Sequence, residues 1–189
     1  DGPGAVAGAP AVTLEYAIAD FSIAMLAAAL GDTTAQATFL DRGRYWKNVF
    51  DPSLAAGGFT GYAAPRLAQD QGGAPAFQQV DVGKNEGFVE GNAAQYTFLV
   101  PHDVGGLVAA LGGDDVAVAR LDALFTELNA GLDRPYFYMG NEPEFGTPWE
   151  YAFAGAPWRT QEIVRRILAE VFATTPGGLP GNDNLGATS

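Results

Sequence analysis

A carboxyl group at a loop-to-helix junction is the first candidate for chemistry in this sequence. Glu90 opens the segment "EGNAAQYTFLVPHD", residues 90–103, and lies just before the start of a helical pattern. Burial among apolar neighbours raises the pKa of a carboxyl group, so Glu90 could act as a proton donor. The alternative is that Glu90 only caps the helix, where the positive end of the helix dipole favours an anion.

A second carboxyl group lies in an aromatic loop. Glu142 stands between Asn141 and Pro143 in "YFYMGNEPEFG", and Trp149 and Trp158 follow closely. Sugar rings have an apolar face edged by hydroxyls, so aromatic side chains beside carboxylates and amides suit a carbohydrate pocket. An aromatic core beneath a long loop explains the same residues equally well.

The C-terminal segment "GLPGNDNLGATS", residues 178–189, contains a single carboxylate. Asp183 lies there between two amides, Asn182 and Asn184. It could serve as a general base or as an oxygen ligand for a hard cation such as Ca²⁺. The segment does not match an EF-hand loop, and Asn, Asp and Gly also simply form turns.

The histidine and cysteine content excludes several kinds of site. The sequence has one histidine, His102, and no cysteine, which rules out multi-histidine metal sites, Cys-type zinc sites and a thiolate nucleophile. Asp103 follows His102 and could fix its tautomer or cap the next helix. No serine elbow is available to complete a nucleophilic triad, so carboxylate or hard-metal chemistry remains.

The overall charge and hydropathy narrow the class of partner. A net charge of −12 would repel a phosphate backbone, so we expect no nucleic-acid partner and favour neutral substrates or cations. The longest apolar run, "FSIAMLAAAL", is about half of what a bilayer requires, so we expect no membrane span. The start of the chain lacks Met and the features of a signal peptide, which indicates a piece of a longer polypeptide.

Apolar residues recur at spacings of three and four in most of the chain, which predicts helices. Stretches rich in glycine and proline, above all residues 52–91, are expected to be loops without strands. About seven helices in antiparallel pairs predict an all-α fold, part of an (α/α)6 toroid whose long loops form a site at one rim. The helical segments are predicted at about 12–30, 33–49, 92–100, 103–111, 114–131, from 147 onward, and from 159 to just before 176.

Taken together, these segments resemble glycoside hydrolase family 92, the calcium-dependent exo-α-mannosidases. The resemblance is carried in order by "TLEYAIADFSIAMLAAALG", "VEGNAAQYTFLVPHDVGGLVAALGG", "GNEP", "YAFAGAPWRTQEIVRRIL" and "GLPGNDNLGATS". It implies a secreted or cell-envelope glycosidase with an N-terminal β-sandwich and a C-terminal (α/α)6 barrel. Residues 1–189 would be a partial catalytic domain covering a central part of that barrel, with the sandwich and the last barrel helices encoded outside this chain.

The resemblance also implies roles for individual residues. Glu90 would be the general acid, and an acidic residue of the "GND" loop would be the base or would assist it. The family's Ca²⁺ binds the 2- and 3-hydroxyls of mannose and helps to distort its ring. Hydrolysis with inversion then requires the two carboxyl groups to be roughly 6.5 to 9.5 Å apart. Substrate contacts are expected from Asn141, Glu142, Trp158, Gln95 and His102, and metal ligands from Asp183 and Asn182.

Two positions depart from the family pattern. Asn184 stands where the family commonly has an Asp, and an amide cannot accept a proton usefully near neutral pH. Asn184 is then an engineered trap, a natural impairment, or irrelevant because Asp183 suffices. Asn141 replaces the His of members with α-1,2 specificity, so that linkage is not assumed. The alternatives to an α-mannosidase are a catalytically impaired mannoside-binding relative and a purely structural helical segment.

Overall fold

The computed structural model describes residues 9–67 and 76–181, and within them it contains seven α-helices, three 3₁₀ turns and four short strands. The helices are α1 Ala9–Leu30, α2 Thr33–Gly43, α3 Ala93–Tyr96, α4 Val104–Leu111, α5 Asp114–Leu124, α6 Glu150–Phe153 and α7 Pro157–Glu170. The 3₁₀ turns are Arg44–Asn48, Glu142–Glu144 and Thr147–Trp149. The strands are β1 Phe50–Ala56, β2 Phe59–Ala63, β3 Arg66–Leu67 and β4 Ala76–Phe77.

Helices α1 and α2 form the antiparallel pair that the sequence predicts. Gly31 ends α1 with a φ of 76°, a conformation that favours glycine. Asp32 is the N-cap of α2, because its carboxylate accepts a hydrogen bond of 2.9 Å from the Ala35 amide. Further along, Arg42 Nε donates to Asp20 Oδ2 at 2.8 Å and ties the two helices together.

Helix α1 is, by length and composition, apolar enough to cross a membrane, and in the described residues it alone meets that criterion. The continuous apolar run is short, but the helix extends beyond it on the N-terminal side, from Ala9. Core helices and signal sequences meet the same criterion, so one such helix is weak evidence for a membrane span. In this structure one face of α1, with Leu14, Ala17 and Ala24, is buried in the core.

The all-α prediction is wrong, because the described residues between 50 and 67 and residues 76–77 include four antiparallel strands. Strand β1 pairs with β2, and β3 pairs with β4. Gly57 and Gly58, which link β1 to β2, have φ values of 58° and 86°, as a tight two-residue hairpin turn requires. The pattern "LAAGGFTGYA" therefore carries a hairpin signal, in which Gly-Gly connects two strands instead of marking an irregular loop.

The hairpin is attached to the helices by a buried arginine. Arg120 on α5 donates to the carbonyl oxygens of Thr60 at 2.8 Å and Gly61 at 2.6 Å, and its guanidinium stacks 4.2 Å from the centroid of the Tyr62 ring. Burial lowers the pKa of Arg120. The fold therefore places a small sheet against the helical layer and includes it in the core.

Several helices are shorter than the sequence predicts. The helix predicted over 92–100 is the single turn α3, and α5 ends at Leu124 instead of continuing to Gly131. Residues 125–141 instead form irregular structure. There the Phe137 amide donates to the Leu124 carbonyl oxygen, and Asn129 forms a β-bridge with Tyr138. Long irregular segments thus run from residue 78 to residue 92 and from residue 125 to residue 141.

Candidate active site

A cavity of about 320 Å³ lies between α1, the segment before α3 and residues 142–150. Its size is that of a small-molecule site. The walls combine four carboxyl groups with apolar side chains, a mixture that can both bind and protonate a neutral polar ligand. The lining residues are Glu15, Glu90, Phe98, Leu99, Pro101, Glu142, Pro143, Gly146, Thr147 and Glu150.

Glu90 is exposed and lines this cavity, and it is not the helix cap. Asn92 caps α3 in a reciprocal capping box, in which Asn92 Oδ1 accepts from the Gln95 amide and Gln95 Oε1 accepts from the Asn92 amide, both at 3.2 Å. The capping interpretation of Glu90 is therefore wrong. Its carboxyl group is available to the cavity.

Asn141 connects the two loops that carry Glu90 and Glu142. It is 2% exposed, and its side-chain Nδ2 donates to the backbone carbonyl oxygen of Glu90. Glu142, the next residue, begins a 3₁₀ turn and lines the cavity with an exposed side chain. The "GNEP" segment therefore positions Glu90 through Asn141 and contributes a carboxyl group of its own.

Gln95 has a structural place in the fold. It is buried, and its Nε2 donates to the carbonyl oxygens of Gly131 at 2.9 Å and Tyr136 at 2.8 Å. Asn92 Nδ2 likewise donates to the carbonyl oxygens of Leu132 and Arg134, both at 2.9 Å. These bonds hold residues 131–136 against α3, and Gln95 does not line the cavity.

His102 and Trp158 also lie outside the cavity. His102 Nε2 is 2.7 Å from the Gly43 carbonyl oxygen, to which it must donate, and the imidazole packs 5.6 Å from the Phe21 ring. Asp103 caps α4 and accepts from Trp46 Nε1 at 3.0 Å, so it does not orient the imidazole. Trp158, the second residue of α7, is 63% exposed.

The structure adds two carboxyl groups to the cavity that the sequence analysis does not select. Burial, followed by repulsion from Glu142 and Glu90, raises the pKa of Glu15 on α1. Burial raises the pKa of Glu150 on α6 well above its ordinary value. In the sequence, the one local sign that Glu15 belongs to a site is that it is an acid within an apolar helical pattern. Glu150 gives no such sign, because it resembles a helix-capping residue. Burial is the largest cause that raises the pKa of the Tyr96 phenol, and repulsion from the Glu90 charge is the next.

The predicted base loop, Asn182, Asp183 and Asn184, lies outside the described residues. Its approach is nevertheless defined by Gly181, the last residue described. A Cβ atom on Gly181 would lie 1.9 Å from the Gly140 carbonyl oxygen, and the φ of Gly181 is 56°. Gly181 therefore lies against Gly140 of the "GNEP" segment, next to Asn141. The separation between acid and base remains a prediction.

A family model described as the glycosyl hydrolase family 92 catalytic domain matches residues 3–189. The chain belongs to glycosyl hydrolase family 92. The resemblance inferred from the five ordered motifs is thereby confirmed. The motifs that carry it include the segments that contribute Glu90 and Glu142 to the cavity.

Relatives of this family 92 chain are found among curated sequences and solved structures. An uncharacterized secreted glycosidase of Arthroderma benhamiae is 30% identical over 190 residues, which cover 93% of this chain and 23% of the relative. An inverting family 92 mannosidase of Bacteroides thetaiotaomicron has a TM-score of 0.75 at 25% identity, covering 95% of this chain and 25% of that one. A family 92 α-mannosidase of the same bacterium, in complex with mannoimidazole, has a TM-score of 0.74 at 29% identity, covering 92% and 24%. The chain thus spans about a quarter of the length of these relatives.

The described residues of the family 92 chain do not by themselves form a metal site. Within 9–67 and 76–181, no group of three or more His, Asp or Glu side chains is arranged to hold a metal ion. The ligands expected for Ca²⁺, Asp183 and Asn182, lie outside those ranges. Repulsion among Glu15, Glu90 and Glu142 does indicate a negative potential in the cavity, which favours a cation. Calcium therefore remains a prediction.

Proposed function

We propose that this chain is the acid-bearing part of an exo-acting α-mannosidase that hydrolyses its substrate with inversion. The observation that carries the proposal is the cavity in which Glu90 and Glu142 line a partly apolar wall. Membership of family 92 supports a glycosidase, and the descriptions of the two bacterial relatives, as mannosidases, support mannose as the sugar released. The description of the fungal relative as secreted supports an extracellular or cell-envelope location.

In the proposed mechanism Glu90 donates its proton to the glycosidic oxygen while the bond from C1 to that oxygen breaks. A base of the 182–184 loop removes a proton from a water molecule, whose oxygen attacks C1 from the opposite face. Asp183 is proposed as that base or its assistant, because the amide of Asn184 cannot take the proton. The hydrogen bond from Asn141 to the Glu90 backbone holds the acid in place.

The remaining site residues are proposed to bind and orient the sugar. Glu142 would contact the substrate next to the scissile bond, because it lines the cavity beside Glu90. Asp183 and Asn182 would contribute oxygen ligands to Ca²⁺, the type of ligand that this cation prefers. Calcium bound there would coordinate two hydroxyls of the mannose.

The test uses the full-length parent protein and methyl α-mannoside, whose poor leaving group must be protonated as it departs. We expect release of mannose whose first-formed anomer, followed by proton NMR, is β. The Glu90→Gln variant should lose about 10²- to 10⁴-fold in kcat, the usual contribution of a general acid. Glu162→Gln, at an exposed ion pair with Arg159, is the matched control and should retain activity. First-formed α-mannose, or a Glu90→Gln variant as active as the control, would contradict the mechanism.

Calcium and the base are tested in the same assay. A chelator should abolish mannose release and added Ca²⁺ should restore it. A large gain in activity on Asn184→Asp would assign the base to position 184, and unchanged activity would assign it to Asp183 or outside this chain. Binding of the mannoside by the wild type without release would instead support an impaired mannoside-binding relative.

A further inference from the structure

Glu150 is the deepest carboxyl group of the cavity. It is the first residue of α6, is 4% exposed and lines the same cavity as the exposed acids Glu90 and Glu142. Within residues 9–67 and 76–181, its carboxyl group makes no hydrogen bond or ion pair. Because a buried polar group without a partner is costly, Glu150 requires a partner that enters from the cavity.

A second buried acid shows what distinguishes Glu150. Glu144 is 2% exposed, and its Oε2 accepts a hydrogen bond of 3.0 Å from the Tyr138 amide. Its Oε1 is sealed from solvent without a partner in the described part of the chain, and Glu144 does not line the cavity. Neither carboxyl oxygen of Glu150 is sealed in this way. The small exposed area of Glu150 therefore includes its carboxyl oxygens.

The surroundings of Glu150 favour its neutral form. The other ionisable groups that line the cavity, Glu15, Glu90 and Glu142, are all acidic and do not stabilise a further negative charge. Of the arginines on the adjacent helix α7, Arg159 is paired with Asp122 and Glu162, and Arg166 is paired with Glu170. The third, Arg165, donates to the Gln161 carbonyl oxygen. Burial is the cause that raises the pKa of Glu150.

A neutral carboxyl group offers one O–H donor and a carbonyl acceptor to the same ligand atom or to neighbouring atoms. A sugar hydroxyl can accept from the first and donate to the second. We propose that Glu150 is a substrate-binding residue of this cavity, which donates a hydrogen bond from its protonated carboxyl group to one hydroxyl of the bound saccharide. This inference rests on the proposed function and adds a residue that selects for that hydroxyl.

A hydrogen bond of this kind predicts specificity. A site built to bond a substrate hydroxyl discriminates against the analogue that lacks it, because the buried group of the protein then has no partner. One deoxy-mannoside in a set lacking single hydroxyls should therefore bind much more weakly than the parent mannoside. An anionic group at that position of the sugar should be rejected by the surrounding acids.

The experiment compares two substitutions in the full-length protein. Glu150→Gln keeps a donor and an acceptor of similar shape and should keep KM for methyl α-mannoside within about threefold. Glu150→Leu removes both and should raise KM about 10- to 100-fold, as expected for a lost buried hydrogen bond. The Leu variant should also bind one deoxy-mannoside as well as it binds the parent sugar. Glu144→Gln, the same chemical change in a buried acid outside the cavity, is the matched control and should leave KM unchanged.

A pH series keeps the test independent of whether Glu150→Leu folds. As pH rises through the pKa of Glu150, the wild type loses its donor and its KM should rise. The Glu150→Gln variant has no titrating group at this position. The KM of the wild type divided by the KM of this variant should therefore increase with pH. A ratio that stays constant, or a folded Leu variant with unchanged KM, would overturn the role of Glu150 alone. A wild type that neither binds nor hydrolyses the mannoside would overturn the proposed function as well.

Discussion

Replacing Asn141 by Asp tests whether this buried amide positions the acid. The change is nearly isosteric but removes the Nδ2 donor, so a carboxyl oxygen then faces the Glu90 carbonyl oxygen. Because Asn141 is 2% exposed, the substitution leaves a buried polar group without its hydrogen-bond partner, at a cost of about 1–3 kcal/mol. The Glu90 backbone should relieve the repulsion by moving away. A displacement of about 1 Å in a catalytic group costs about 100-fold in rate.

The assay measures kcat and KM of the full-length protein with methyl α-mannoside, whose departure requires the acid, together with urea unfolding. We expect kcat to fall about 100-fold with little change in KM, because Asn141 does not line the cavity. The control is Asn129→Asp, at the start of the same irregular segment, residues 125–141. Asn129 Oδ1 accepts from the Gly140 amide at 3.0 Å, and aspartate keeps that acceptor. The positioning role is refuted if Asn141→Asp and Asn129→Asp have kcat values within about twofold of each other.

Three further predictions concern packing and charge. A Cβ atom on Gly181 would lie 1.9 Å from the Gly140 carbonyl oxygen, so Gly181→Ala should abolish mannose release while circular dichroism retains the helical signal. Burial raises the pKa of Glu144 in the folded protein. As pH rises, the unfolded chain therefore loses the Glu144 carboxyl proton at a lower pH than the folded protein does. The free energy of unfolding should therefore fall as pH rises from about 4.3 toward the folded pKa, by at most about 1.4 kcal/mol per pH unit, and Glu144→Gln should remove that fall in urea titrations. Arg42→Met leaves Asp20, whose side chain is 8% exposed, without its cation. It should lower the free energy of unfolding by about 1–3 kcal/mol in the same titrations. This is less than for a fully buried pair, because the Arg42 side chain is 46% exposed.

Local signals in the sequence were sufficient for several parts of the fold. The apolar periodicity of α1 and its glycine stop depend on neighbouring residues alone, as does the cap of α4 by Asp103. The order of the motifs around Glu90 and Glu142 was sufficient for the family, because those motifs are specific as a set. The hairpin of β1 and β2 also had a local signal in Gly57 and Gly58, which the high glycine content of the region obscured.

Residues of suitable chemical type were not always residues of the site. Gln95 and His102 have polar groups that could bind a sugar, yet both bond backbone carbonyl oxygens away from the cavity. Their partners lie 36 to 59 residues away in the chain. Sequence spacing cannot reveal such a bond, because it depends on how distant segments pack.

The sequence by itself determined which helices could form and which family the chain belongs to, and it made the carboxyl group before "GNAAQY" the leading candidate for the acid. Only the tertiary structure decided which acids meet in one cavity. Glu15, Glu90, Glu142 and Glu150 come from segments separated by up to 135 residues, and their convergence follows from packing. Burial then raises the pKa of Glu150, because desolvation is a property of everything that surrounds a group and not of its neighbours in the chain.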